Sequence, residues 1–431
     1  MQVLFIAYHF PPIGGAGSQR SAKFARYLPE HGVHPVIVAG PVAATGRWEP
    51  EDASQVAELP AGTAIYRPQE APPELTRPSR WAQLRGIPSE RDRWWKDQIT
   101  DLGMTASRDQ RLEAIYISLL PYEGLGAALE LGERLRLPVV ADLRDPWALD
   151  EVRLYLSWIH RRAEQRTMGK LLDRCARVIA NTPEAATAFL DAFPFLADRV
   201  STVPNGYDAS DFQDLAARPP DGRFRIVHTG YLHTSIALAQ ARNAGAKRLL
   251  RGAVWPIDLL GRTHVYLLQA LELLHGTDPE LARRTEIVLA GVLSDEDERV
   301  IRAAGVADQV RTLGYVDHRT ATREMVAADA LFLPMHGIPE GRRARIVPGK
   351  TYEYLASGRP ILAAVPPGDA RDLVVEMDAG VVADPTDVGG IARAVALLGA
   401  DAPTPRRVPP GTERFERRRL AGQLAELIRG L

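Results

Sequence analysis

The sequence predicts an α/β protein built as two successive doubly wound parallel sheets. Three observations carry this. Short apolar runs alternate with helical patterns along the chain, at Val3–Ala7, Val36–Ala39, Ala114–Leu119 and Pro138–Ala141, and again at Arg225–His228, Glu286–Ala290 and Ala330–Leu333. Strands separated by helices read as βαβ units with right-handed crossovers. A glycine-rich turn links the first strand to the first helix, as nucleotide-binding folds do. The stretch 213–223, with Pro219, Pro220 and Gly222, reads as a linker between the two sets. The predicted domains are therefore 1–212 and 222–412, with a terminal amphipathic helix over 413–431 packing back on the first.

Composition narrows the function classes. A chain of 431 residues holds two or three ordinary domains, and a net charge of −1 creates no general attraction for nucleic acid. Cys175 is the only cysteine, which excludes an internal disulfide and a cysteine-rich metal site. The first residues, MQVLFIAYHF, read as a strand rather than a signal peptide, and no apolar run reaches the roughly 18 residues of a membrane span. These features predict a cytoplasmic protein. Of 53 basic residues 48 are arginine, so arginine patches carry less meaning here and the lysine at 350 carries more.

Taken in order, Val3–Ala7 is followed by YHFPPIGGAGSQR and the helical pattern SAKFARYLPEHG. Gly14, Gly15 and Gly17 let backbone approach a ligand, and Ser18 is placed to cap the helix. The dinucleotide fingerprint is incomplete: Arg20 stands where its third glycine belongs, and VIVAGP ends without an acid. The turn is either a phosphate loop or simply tight. Residues 41–110 read as loop-rich, with Trp94 and Trp95 either buried or contacting acceptor or membrane. After the strand at Pro138–Ala141 come Asp142, Leu143, Arg144 and Asp145. This is a strand end where ligands sit, or an internal ion pair propping the loop, or both. Asp150–Cys175 reads as one helix. Its Trp158, Arg161, Arg162, Arg166, Lys170 and Arg174 form a solvated face or meet an anionic lipid surface. Pro204-Asn205-Gly206 is a turn.

In the second half, Thr229-Gly230 ends a strand, 235–260 reads as a helical insertion with a basic cluster, and Gly261-Arg262-Thr263 opens a helix. Tyr315 and Val316 follow the strand Val310–Gly314. A short helix spans about Pro348 to Ala356, with Gly358 just past its end. Lys350 lies in its first turn, where a cation opposes the helix dipole unless an anion arrives. Glu353, one turn on, can accept hydrogen bonds from a ribose diol. The alternative is an ordinary surface helix with a wet face.

FPPIGGAGSQRSAKFARYL, VVADLRDPW, VIANTPEAA, VPNGYD, VHTGYLH and PGKTYEYLASGRPILA, in this order, resemble the GT-B glycosyltransferases of family 4. The resemblance implies two Rossmann-like domains facing across a cleft, and retaining transfer from a UDP- or GDP-sugar without a metal or other cofactor. It places Gly15 and its neighbours Gly14 and Gly17 under the donor phosphates, Gly230 after the first strand of the donor domain, and Tyr315 and Val316 at the base pocket. Glu353 matches the ribose-holding acid, and Asp145 lies in a loop where many members carry a histidine. The family's paired acid would stand at 345, where this chain has Arg345; Glu340 could replace it only by another loop path. Arg262 and Lys350 supply the phosphate cations, and with Asp145 and Glu353 complete the expected catalytic and donor set. Arg20, Asp142, Arg144 and Asn205 are the candidates on the acceptor side. The acceptor is a small molecule or a lipid-linked saccharide of polysaccharide or specialised-metabolite assembly, reached in the cytoplasm or at the inner membrane face. A sugar-nucleotide epimerase or hydrolase, or an inactive nucleotide-sugar binder, are the rival readings.

Overall fold

A computed structural model describes residues 1–42, 56–70, 72–74, 88–242, 252–400, 402 and 404–431. The chain divides into two units: Met1–Gly206 with Phe415–Leu431, and Tyr207–Arg414.

The first unit carries seven strands: β1 (Gln2–Ala7), β2 (His34–Ala39), β3 (Ile65–Tyr66), β4 (Ala114–Leu119), β5 (Val139–Leu143), β6 (Arg177–Ala180) and β7 (Val200–Thr202). They form one sheet in the order β3-β2-β1-β4-β5-β6-β7, with every pair parallel. Strand order reverses between β1 and β4. Side chains alternate across the sheet. Leu4 and Ile6 face a layer built by α2 (Glu90–Asp109), α3 (Gly124–Leu135), α4 (Trp158–Asp173) and α5 (Pro183–Ala192). Val3, Phe5 and Ala7 face α1 (Ala16–Tyr27) and the terminal helix.

The second unit repeats the plan with β8 (Phe224–Thr229), β9 (Thr285–Ala290), β10 (Val310–Gly314), β11 (Ala330–Pro334), β12 (Ile361–Ala364) and β13 (Gly380–Ala383). Their order is β10-β9-β8-β11-β12-β13, again all parallel, so the reversal falls between β8 and β11. Around them lie α6 (Thr234–Arg242), α7 (Val265–Thr277), α8 (Pro279–Arg284), α9 (Asp295–Ala303), α10 (His318–Ala327), α11 (Lys350–Ser357), α12 (Asp369–Glu376) and α13 (Val388–Ala400). The last helix, α14 (Arg417–Arg429), buries Leu420, Leu424 and Ile428 in the first unit's core beside Tyr27 and Leu28.

The expected class of two parallel α/β sheets is therefore present, while several local readings change. The α1 helix starts at Ala16, not after Arg20. Its N-cap is Gly15 at φ 98°, and Ser18 lies inside the first turn rather than capping it. The stretch read as loop contains α2, a 20-residue helix held at its start by a capping box between Ser89 and Asp92. Trp95 is buried on it, edge-on to Tyr8. The helix expected from Asp150 begins only at Trp158; before it, Arg153 lies over the Tyr122 and Tyr155 rings in an irregular segment. On α4, Trp158 and Ile159 are exposed, as are Arg162, Arg166 and Lys170. The expected insertion begins as α6, and Lys247, Arg248 and Arg251 of its basic cluster lie outside the described residues. Among the described residues no helix is long and apolar enough to cross a membrane.

Candidate functional site

In open α/β sheets ligands bind beyond the carboxyl ends of strands, where strand order reverses. Each unit has one such point, and the predicted site residues divide between them.

In the first unit the reversal lies between β1 and β4. Gly17 sits in the first turn of α1, and a Cβ there would come 1.7 Å from the Arg144 guanidinium. The Arg144 guanidinium therefore comes up against the helix start, with its Nε donating to Leu119 O at 3.3 Å. Burial and the Arg144 charge hold His9, just past β1, at a pKa of about 3. Gly14 is buried, and Asp145 is partly exposed. Its carbonyl accepts from Trp147 N at 2.8 Å.

Asp142 and Arg20 are differently placed. Both are buried, and Arg20 makes two bonds to the Asp142 carboxylate, at 2.9 and 3.1 Å. The Tyr116 hydroxyl donates to the same carboxylate, and the remaining Arg20 donors reach Val203 O, Pro204 O and Asn205 Oδ1. Asn181 ties Arg144 O to Asn205 N at 2.9 and 2.8 Å. The internal ion pair that was one of two readings is thus present, but its arginine is Arg20 rather than Arg144. Its charges are consumed inside the unit.

In the second unit the reversal lies between β8 and β11. The α11 helix begins at Lys350, two residues later than the sequence suggested, and ends at Gly358 with φ 69°. It is no wet surface helix: Thr351, Tyr352 and Tyr354–Ser357 are all buried. Lys350 and Glu353 keep partial exposure. The Tyr354 hydroxyl accepts from Thr229 N at 3.1 Å and so pins α11 to the end of β8. Lys350 then crosses the turn that follows β8. Gly230 has φ 102°, and a Cβ there would stand 3.1 Å from Lys350 Nζ. Glycine is needed twice at this position, for its dihedral and for its missing side chain.

The Lys350 amine is 3.1 Å from His228 Nε2. Although the residue keeps some exposure, close packing around its amine, then the charge of Arg262, lowers its pKa to about 7, with Glu353 opposing. Burial first, then the Arg262 and Lys350 charges, holds His233 near 3. Lys350, Arg262, Glu353 and Gly230 are thus brought together. The strand ends are also joined: Gly230 N donates to Ala290 O at 2.7 Å and Gly291 N to Gly314 O at 2.8 Å, so Tyr315 and Val316 follow in the same row, with Tyr315 exposed. Arg345 lies over the Trp255 ring at 4.5 Å, and Glu340 is exposed. Sequence reasoning missed His228 and His233, which lie beside the cations, and His336, which lies beside His233. A histidine inside an apolar strand such as IVHT is the signal that was available for the first.

Two family models match the chain. The one described as Glycosyltransferase Family 4 matches residues 17–211, and the one described as Glycosyl transferases group 1 matches residues 260–401. The chain belongs to the group 1, family 4 glycosyltransferases. No curated protein matches it in sequence. Among solved structures, this family 4 glycosyltransferase resembles Anabaena HepE in complex with UDP and glucose, at 17% identity over 100% of both chains and a TM-score of 0.63. It also resembles sucrose-phosphate synthase from Thermosynechococcus elongatus, at 16% identity, 100% of this chain and 98% of that one, with a TM-score of 0.63. A putative UDP-N-acetylglucosamine 2-epimerase from Listeria monocytogenes is similar at 11% identity over 100% and 96% of the chains, with a TM-score of 0.54. These likenesses establish the GT-B fold.

Proposed function

We propose that this family 4 glycosyltransferase moves a sugar, with retention of configuration, from a nucleoside-diphosphate sugar held by the second unit to an acceptor held by the first. The observation that carries the donor assignment is the meeting of Lys350, Arg262 and the start of α11 at the Gly230 turn. The positive end of the α11 dipole and two cations form a preorganised seat for a diphosphate, whose negative charge grows as it leaves. The reading asks for no metal, because these groups meet that charge. Glu353, one turn into α11, holds the ribose diol. Uridine is the favoured base, since HepE was solved with UDP and with UDP-glucose. On the acceptor side, Arg144 and Asp145 stand at the open strand end, while Arg20, Asp142 and Asn205 support the loop that carries them. The acceptor is a soluble molecule or a lipid-linked saccharide.

Thermal-shift screening against UDP-, GDP- and dTDP-sugars tests the donor, since a ligand that binds only the folded state raises its melting point. A shift with UDP-sugars above the others is expected. Lys350→Ala and Glu353→Ala should each lower turnover or donor affinity about tenfold or more, the scale of one lost charged contact. Wild-type kinetics in both would overturn the site. The epimerase-like neighbour gives the rival reading, and product analysis separates them: an epimer or free sugar formed without acceptor favours the rival.

A further inference from the structure

The lysine at the Gly230 turn is held in an unusual way. His228 is buried on β8, and its Nδ1 lies 3.0 Å from Phe332 O. A carbonyl can only accept, so Nδ1 carries a hydrogen; burial, then the Lys350 charge, pushes the ring's pKa well below the ordinary imidazole value against the pull of the Phe332 and Tyr231 backbone, so the ring is neutral and Nε2 carries the lone pair. Lys350 therefore donates its 3.1 Å bond to an uncharged nitrogen. No carboxylate among the described residues forms an ion pair with it. The groups facing it from the neighbouring elements are cationic or neutral: Arg262 from the turn before α7, His233 from the start of α6, and His228 from β8. His336, after β11, lies close to His233 in the same cluster. Only Glu353, on its own helix, offsets them. The Gly230 backbone closes one flank, leaving the amine little room to withdraw.

Resting on the donor reading above, we propose that binding of a nucleoside-diphosphate sugar takes up one proton onto Lys350, and that His228 is the positioning residue that aims the amine at the incoming phosphate. The proton comes from bulk solvent: the neutral amine becomes an ammonium, one N–H stays on His228 Nε2, and the others turn to phosphate oxygens. Burial and Arg262 keep the empty site's lysine near pKa 7, and an anion beside it moves that value back up. Affinity then falls as pH rises above about 7, by at most about tenfold per pH unit.

The test is titration calorimetry of the whole protein with UDP-glucose at pH 8, in buffers that differ in heat of ionisation. The ligand's phosphates stay fully ionised there, and His233, held near 3, would have to climb several units to compete. The expected result is buffer-dependent heat corresponding to nearly one proton bound per ligand. Lys350→Arg should still bind but take up none, because a guanidinium does not titrate in this range. His228→Phe should move the midpoint of the affinity-versus-pH curve by half a unit or more. His228→Gln, which offers an amide oxygen in place of Nε2, should keep the midpoint near wild type. Binding with no buffer dependence overturns the proton linkage and leaves the donor reading standing. Equal midpoints in wild type and His228→Phe overturn the role of His228. Failure of every nucleotide sugar to bind overturns both readings.

Discussion

The two strand-order reversals share a topology and treat charge in opposite ways. At the β1/β4 point the buried Arg20 meets the buried Asp142, with the Tyr116 hydroxyl and the Val203 and Pro204 carbonyls completing the cluster. At the β8/β11 point Lys350 meets a neutral imidazole and lies near Arg262. The first arrangement is satisfied as it stands and gives rigidity. In the second, no carboxylate among the described residues forms an ion pair with Lys350. The glycines tell the same story. Gly17 gives the Arg144 guanidinium space within a helix, whereas Gly230 gives Lys350 space and also adopts a left-handed dihedral. A common scaffold braces a loop at one point and, in the donor reading proposed above, holds a charge at the other.

The contrast is breakable by substitution. Asp142→Ala should have the largest effect, about 3–5 kcal/mol of lost stability in urea unfolding, because it strands the Arg20 guanidinium without its partner. A loss under about 1 kcal/mol would mean that the pair is not the brace described. Lys350→Met should do the reverse, stabilising the empty protein by roughly 1–2 kcal/mol while weakening donor binding about tenfold or more, as active-site substitutions often do. The sign of its pH dependence is fixed. The folded lysine has a pKa near 7 against an ordinary 10.5, so between those values the unfolded chain binds more protons and wild-type stability rises with pH. The advantage of Lys350→Met is therefore greatest below pH 7 and fades toward pH 10. Paired denaturation curves at pH 6 and pH 9.5 measure it, and a gap that widens with pH refutes the assignment.

The two glycines sharpen the comparison further. Gly230→Ala should cost about 1–2 kcal/mol, through its left-handed dihedral and the lysine it displaces, and should weaken donor binding. Gly17→Ala meets only the far end of a flexible arginine, and helix propensity favours alanine by up to about 1 kcal/mol. Its stability should stay level or rise slightly. Equal losses at both positions would remove the distinction drawn here.

Much of this was legible along the chain, and the reasons differ by residue. The alternation of apolar runs with helices and the proline-rich stretch before β8 report local periodicity, which sequence carries directly. Lys350 was legible because a cation in a helix's first turn contradicts the dipole. The α2 helix was not read, since prolines at 68, 72, 73 and 78 drew attention away from the capping box at Ser89. His228 was invisible for another reason: its meaning comes from Lys350, 122 residues away, and from the Phe332 carbonyl. Arg20 and Asp142 are also 122 residues apart, so nothing local distinguishes a brace from an acceptor contact. Pairings that only the fold creates lie beyond any window of sequence.

The final helix has a consequence for how the protein is made. α14 completes a core begun by Val3 and Phe5, although the whole of Tyr207–Arg414 intervenes. The chain leaves and re-enters the first unit side by side, since a Cβ on Gly206 would stand 2.3 Å from Phe415 O. During synthesis the apolar face that α14 covers therefore stays unsealed until residues 417–429 have been made, while all the strands of the inserted unit are complete before then. A fragment ending at 206 should be aggregation-prone, and one spanning 207–414 has all the strands of its own sheet.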